Sequence, residues 1–517
     1  MRFFSAKKMI YPVIALVVCL MAASGAWAAW TARAPMNVAR DGSASGTFSG
    51  KFYVYGGYDG TNLVNSLEIY DPAANTWSTV NQATGVRDIT GTETNGKLYM
   101  FGGHFNGLLI DHFEKSYDPA TGILSDEIPR LPLTAQANCV TYTTTIWGQE
   151  IFVFGGADNN GNLVQSVLAY NPALKTWREA TVIPAEYLTG GPAMGLAGST
   201  VYLMGGQNSS GPVGNVVAYN IRTDTWYTLN MGTIKIPRRF PTGHIVPNVR
   251  DRFFLIGGNQ GMAAFPSQAV AIYDPAVRLS WEISESLPEG VSGNTTFLAG
   301  SDSEGYVIYV AGGINLEQLR TNKVWSLKVD NGRGILPWQQ APDGTDLNGN
   351  DTDDNLEPDR IKVVKTFTGN ALFGVDLNEY KDQGFKIESI QALPSSAISS
   401  APRTFPVGLV TFKIKTPTIG AQVVATLRLN YDTPANNIWY KWSYFTGWYD
   451  YSAYVTKVNS RTFRVLLIDG GWGDADGVAD GVITDPIGPS IPTPIVEDEL
   501  TVILPDSGGC FINAIFG

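Results

Sequence analysis

Short apolar runs that end in paired glycines recur through the first two thirds of the chain. They read FYVYGG, LYMFGG, IFVFGG, VYLMGG, FFLIGG and VIYVAGG, with doublets at Gly56–Gly57, Gly102–Gly103, Gly155–Gly156, Gly205–Gly206, Gly257–Gly258 and Gly312–Gly313. Successive doublets are 46, 53, 50, 52 and 55 residues apart. An apolar run of this length bounded by turn residues reads as a β-strand, and a near-constant period means a repeat architecture.

Each doublet is followed by a polar loop and then by a second strand that ends in Tyr-Asp-Pro, Tyr-Asn-Pro or Tyr-Asn: Tyr70, Tyr117, Tyr170, Tyr219 and Tyr273. A tryptophan lies seven or eight residues after the tyrosine in four copies, at Trp77, Trp177, Trp226 and Trp281. Asp-Pro and Asn-Pro break one strand before the next. Tyr and Trp at fixed offsets are large enough to fill the space between neighbouring sheets. Each repeat therefore holds four strands, which bury both faces only by stacking around a ring.

The glycine doublet, the tyrosine and the later tryptophan resemble the kelch motif, and six copies imply a six-bladed β-propeller over residues 29–340. The segment around Trp30 matches the join between repeats and is expected to lend an outer strand to the last blade, with Trp338 as the competing candidate. Loops after the doublets and loops leading into the innermost strands share one face, so its polar residues are the candidate ligand groups: Arg40, Arg87, His104, Arg238, Arg239 and His244. An arginine at the start of an inner strand also has a purely structural use, bonding loop carbonyls. Two sugar-active enzyme types share the resemblance, one like galactose oxidase and one like the sialic-acid epimerases. The chain has only three histidines, His104, His112 and His244, and one cysteine in the repeats, Cys139. Nothing in their spacing makes them converge on copper, so the sequence favours a binding module over an enzyme and yields no catalytic residue.

After the repeats the pattern changes. Residues 341–360 are crowded with Asp and Asn. Asp346, Asn348 and Asn350 alternate as in a calcium loop, with Asp354 and Glu357 at its ninth and twelfth positions. Asp351 stands where such a loop has glycine. Residues 361–505 return to strand-like alternation and predict an antiparallel β-sandwich, so the fold class is all-β throughout. An aromatic segment, Ile438–Tyr454, is read mainly as packing, with a carbohydrate platform as its alternative. The stretch Ile468–Pro489 places Asp469, Asp474, Asp476, Asp480 and Asp485 among small residues that let a chain wrap an ion, a second candidate calcium site. This ending resembles the choice-of-anchor domains of exported bacterial proteins. That resemblance makes the tail 506–517, with Cys510, a candidate processing or attachment point and implies cell-surface or membrane association through the C-terminus.

Composition narrows the function classes. Charged residues are sparse at 16%, Gly (56) and Pro (29) are plentiful, and 44% of the 517 residues are hydrophobic, which suits many short strands. Residues 1–28 read as a signal peptide: Arg2, Lys7 and Lys8 precede an apolar run and Ala26-Trp27-Ala28 fits a cleavage site. Without them 33 basic residues face 47 acidic ones. So acidic a chain repels nucleic acid and anionic lipid and favours cations. The expectation is an exported, bacterial binding or adhesion module for carbohydrate or protein, stabilised by calcium.

Overall fold

A computed structural model describes residues 29–491, apart from residue 83, residues 106–107, 110–112, 132–137, 145, 159, 161, 229, 240–243 and 262–264. The signal-peptide reading, His112 and the Cys510 tail lie outside the described residues. No helix among the described residues is long and apolar enough to cross a membrane.

Among the described residues the six doublets end strands of six sheets, five of four antiparallel strands and one of five. Blade 1 runs Ala44–Phe48, Lys51–Tyr55, Ser66–Asp71 and Thr76–Asn81, in that spatial order. Blades 2 to 5 repeat it from Thr90–Thr94, Asn138–Thr144, Ala193–Ala197 and Asn248–Val249; blade 4 also carries His244–Ile245 as a fifth, parallel strand. Blade 6 is Thr295–Ser301, Gly305–Ala311 and Val324–Lys328, and its outer strand comes from the other end of the repeats: Thr31 lies opposite Ser326 and Arg33 opposite Val324. The N-terminal segment thus closes the ring. Trp338 instead enters a core shared with the C-terminal half.

The doublets end each second strand because two backbones meet there. Gly56 and Gly57 have φ of 71° and 101°, a region that disfavours side chains. The Gly57 amide donates to the carbonyl of Val86, in the segment entering blade 2, at 2.6 Å. A Cβ on Gly56 would lie 2.5 Å from that same oxygen. The pattern recurs where Gly206 donates to Arg238 O, Gly258 to Val291 O and Gly313 to Arg40 O.

The tyrosines and tryptophans work at the outer rim. Tyr70, Tyr170 and Tyr219 are buried and pack against Trp77, Trp177 and Trp226 at centroid distances of 4.9, 5.0 and 5.1 Å. Each indole N–H then donates to the chain leaving the preceding blade: Trp77 to Ala34 O, Trp177 to Pro129 O and Trp226 to Thr181 O.

The C-terminal half has two five-stranded antiparallel sheets over one apolar core. One holds Ile361–Lys365, Leu372–Asp376, Gln422–Leu429, Thr462–Ile468 and Val455–Lys457; the other holds Lys386–Leu393, Leu409–Lys415, Val482–Ser490, Ile438–Ser443 and Gly447–Asp450. The two halves share a second core in which Trp281, Leu336 and Trp338 meet Leu393, Ile398, Phe405 and Leu409. A buried charge network crosses the seam. Asp274 of blade 5 pairs with Arg252 at 2.7 Å and stands 3.8 Å from Lys413, while Arg252 also donates to Ser389. Burial alone would raise Asp274; Lys413 and Arg252 outweigh it and hold the carboxylate below its usual range. Lys413 further donates to Arg250 O and Lys235 to Ser396 O. Arg250, Arg252 and Asp274 flank hairpin turns of blade 5, so this end of the propeller is covered while the loop end is not.

Gly56→Ala is expected to cost more than about 1 kcal/mol, because a left-handed backbone and an occupied Cβ position both oppose it. Equilibrium urea unfolding measures this, with Gly50→Ala, whose Cβ meets nothing within 4 Å, separating the effect of φ alone.

Candidate functional site

The arginines expected on the loop face divide by depth. Arg40 is 1% exposed and pairs with the fully buried Glu68. Its guanidinium also donates to Gly56 O at 3.0 Å, Ser66 O at 3.1 Å and Ser66 Oγ at 2.7 Å. Arg238 repeats the device in blade 5, donating to Gly257 O and Ala269 O while fully buried; burial pushes it down to about 10. Both arginines fasten a doublet to the strand beside it and are buried, the structural use, which corrects the ligand role expected for Arg40 and Arg238. Arg239 is half-buried, donates to Gln207 and pairs its backbone with Asn259. His104 and His244 sit in two-residue strands; their side chains and that of Cys139 lie outside the described part.

Arg87 remains at the rim. Its guanidinium stacks over Tyr58 at 5.0 Å, and Arg320 covers the same ring at 4.8 Å. Arg320 donates to Asp41 at 2.8 Å, and Arg87 lies 3.4 Å from Asp88. Beside this sandwich the loops after the blade 5 and blade 6 doublets expose Phe265 (61%), Leu316 (52%) and Leu319 (58%). An arc of apolar and cationic groups therefore runs over blades 5, 6, 1 and 2. The sequence reading missed Tyr58, Arg320 and these apolar tips, which it treated as parts of polar loops. Their position directly after a doublet was the available signal.

The acidic segment 341–360 is folded, not loosely tethered. Asp354 and Asn355 are buried and begin a 3-10 turn, and Leu347 packs on Ile361 and Val363. The five expected donors gather around one loop. Asp346 accepts the amides of Gly349, Asn350 and Asp351; Asn348 and Asn350 donate to Glu357 at 3.2 and 2.7 Å. Asp354 takes the Leu347 amide on Oδ2, while its buried Oδ1 has no partner. Burial, with the charges of Asp346, Glu357 and Asp376, raises this carboxyl to about 6.

The second acidic motif behaves differently. Asp469 accepts the amides of Gly420, Gly481 and Asp480. Asp474 accepts those of Gly470 and Thr484, Asp476 that of Val478 and Asp480 that of Val482. Asp485 is buried in an ion pair with Lys441 at 2.5 Å. Four of the five carboxylates expected around one ion thus accept backbone amides, from two to 49 residues away, and the fifth, Asp485, pairs with Lys441. No group of three or more His, Cys, Asp or Glu side chains among the described residues stands close enough to hold a metal.

Comparison with known proteins now bears on the repeats. Residues 39–82 match the Kelch motif and residues 88–258 match the KLHDC2/KLHL20/DRC7 Kelch-repeats domain. The fold is a kelch β-propeller. Beta-scruin of Limulus polyphemus is 26% identical over 193 residues, covering 35% of this chain and 20% of its own. Kelch-like protein 35 of Mus musculus is 26% identical over 183 residues, covering 35% and 30%. Kelch-like protein terF of Aspergillus terreus is 25% identical over 213 residues, covering 38% and 46%. The chain thus spans less than half the length of each of these relatives. The solved structure of YjhT aligns with 57% of this chain and 96% of its own, at 16% identity and a TM-score of 0.45.

One titration follows from the turns. Burial, with the neighbouring Asp476 charge adding to it, raises Asp474 from 3.8 to about 8. Across that window the folded chain holds a proton that the unfolded chain has lost, so this group makes stability fall as pH rises. Asp474→Asn is expected to flatten that part of the dependence, as read from urea midpoints at a series of pH values.

Proposed function

We propose that the chain is an exported binding module whose kelch propeller holds a protein ligand on its loop face. The observation that carries this reading is the arc of Phe265, Leu316 and Leu319 beside the Arg87–Tyr58–Arg320 sandwich. Exposed apolar side chains grouped with arginine and tyrosine match the composition of protein-binding hot spots. The seam with the C-terminal half leaves this face open. Kelch-repeat propellers are typically protein-binding modules. Export rests on the charged and apolar pattern of residues 1–28, and surface attachment on the tail bearing Cys510. Carbohydrate is the competing ligand for the loop face.

The test uses the purified chain as bait for surface proteins. A ligand retained by the parent chain is expected to be lost by Leu316→Asp/Leu319→Asp, with affinity falling about tenfold or more. Ile146→Asp, on a hairpin turn of blade 3, is expected to bind as the parent does. A ligand that both variants retain, or a glycan array that the loop-face variant alone fails to bind, overturns the protein reading.

We also propose that calcium stiffens the segment 341–360. The supporting observation is the buried, unpartnered Asp354 Oδ1 in one loop with Asp346, Asn348, Asn350 and Glu357, whose side chains would draw together around the ion. Calcium takes six to eight oxygen ligands, and these side chains offer it carboxylate and amide oxygens. Excess calcium is expected to raise the melting temperature by a few degrees, as for any ligand of the folded state alone. Chelator is expected to reverse the shift, and Asp354→Asn to abolish it. A midpoint indifferent to calcium and chelator refutes the site.

A further inference from the structure

The aromatic segment of the C-terminal half does not all go into packing. Trp439 is 2% exposed and sits in the core, and Trp448 stacks on Phe405 while donating to Ser399 O. Phe445 and Trp472 are each 57% exposed. They line one cleft of about 510 Å³, with Ser443, Thr446, Tyr449 and Asp474 among the other lining groups. Open rings on a folded surface cost free energy unless something covers them, and a cleft of this size lies within the range of ligand sites.

Both aromatic walls are held in place. Trp472 stacks on Tyr454 at 4.9 Å, Tyr454 on Tyr451 at 4.8 Å, and the Tyr451 hydroxyl donates to Leu466 O. The Trp472 carbonyl accepts the Ile468 amide and closes its turn. Gly473 is pinned beneath it, with Lys441 donating to its carbonyl. On the other wall, the Arg278 guanidinium from blade 5 lies 4.9 Å from the Phe445 ring and 4.7 Å from Tyr444. The rings are thus already ordered before any ligand arrives, which removes an entropic cost of binding.

The polar groups are few. Ser443 and Thr446 hydroxyls lie 3.0 Å apart at the edge. Asp474 is 6% exposed, with both carboxyl oxygens turned to backbone amides that they accept. No lysine or arginine lines the cleft. An anionic ligand finds no counter-charge there and a cationic one finds no exposed carboxylate. A purely apolar ligand would leave the hydroxyl edge unmatched. A pyranose ring presents an apolar C–H face to an aromatic wall and hydroxyls at its edge, which suits this lining.

We infer that the cleft between Phe445 and Trp472 is a binding site for a neutral pyranoside of about disaccharide size. This site is separate from the propeller loop face and stands or falls without it. The probes are cellobiose, lactose and N,N′-diacetylchitobiose, added to the full chain and followed by tryptophan fluorescence and saturation-transfer NMR. At least one is expected to bind with a dissociation constant on the order of 1 mM, with transfer strongest to the C–H groups of one ring face. Trp472→Ala is expected to weaken it at least about tenfold, and Phe445→Ala to weaken it too. Trp147→Ala, an exposed tryptophan on blade 3, and Leu316→Asp/Leu319→Asp are expected to leave it unchanged. Circular dichroism and the melting temperature show that each variant is folded, and Trp472→Phe, which keeps a ring, is expected to restore part of the affinity. Absence of binding by all three sugars overturns the proposal, as does binding that both Trp472→Ala and Phe445→Ala leave intact.

Discussion

One backbone oxygen at each of four blade junctions governs the propeller. The carbonyl just before an inner strand accepts the amide of the second glycine of the neighbouring doublet, and it leaves no room for a Cβ on the first. Val86, Arg238, Val291 and Arg40 all supply that oxygen. The doublet is therefore a statement about distance: the second strand of one blade and the entry to the next must approach within hydrogen-bonding reach. Arg40 and Arg238 reinforce the same corner from within their own blades. At the outer rim the Tyr–Trp pairs of blades 1, 3 and 4 perform a second fastening, since each indole reaches the chain leaving the preceding blade. A ring held at both radii needs no disulfide, and it fixes where every rim loop begins.

Legibility in the sequence follows from how local each constraint is. Strands, turns and the doublet depend on residues within one repeat, and their period exposes them. The ring closure by residues 31–33 was readable because Trp30 stands 26 residues before its doublet, close to the 25 from Trp77 to the next. Depth was not readable. Arg40 and Arg87 occupy comparable places before inner strands, yet one is buried and one lies at the rim. The difference is Glu68, a carboxylate on the third strand of blade 1 that only Arg40 reaches. The acidic motifs show the same limit. Alternating carboxylates specify turns and ion sites with one pattern, and only the amide positions decide between them. In residues 469–480 the amides take the carboxylates, while Asp485, like Asp354 in the other stretch, keeps one buried oxygen without a partner.

The join between the halves was the least visible feature. Its core mixes Trp281 and Trp338 with Leu393, Phe405 and Leu409, residues that look like ordinary strand and turn positions in their own segments. Asp274 belongs to the Asp-Pro turn signature of blade 5, which by itself predicts an exposed Asx turn. In the fold it still caps that turn through the Ala276 amide, and it also anchors Arg252 and Lys413 across the seam. A repeat residue has acquired an interdomain role without changing its repeat role, so pattern alone could not reveal it.

That seam has a consequence for binding. Arg278 comes from the propeller, yet it positions Tyr444 and Phe445 on the C-terminal half. The aromatic cleft is thus built partly by the propeller, and the loop-face arc sits on the end of the propeller that the seam leaves uncovered. The two proposed surfaces are joined through one shared core. A pair of this kind gains from engaging two ligands only when those ligands are themselves spaced to match. Selectivity would then lie in the spacing as well as in each contact, with the buried charges around Asp274 among the contacts that join the two parts.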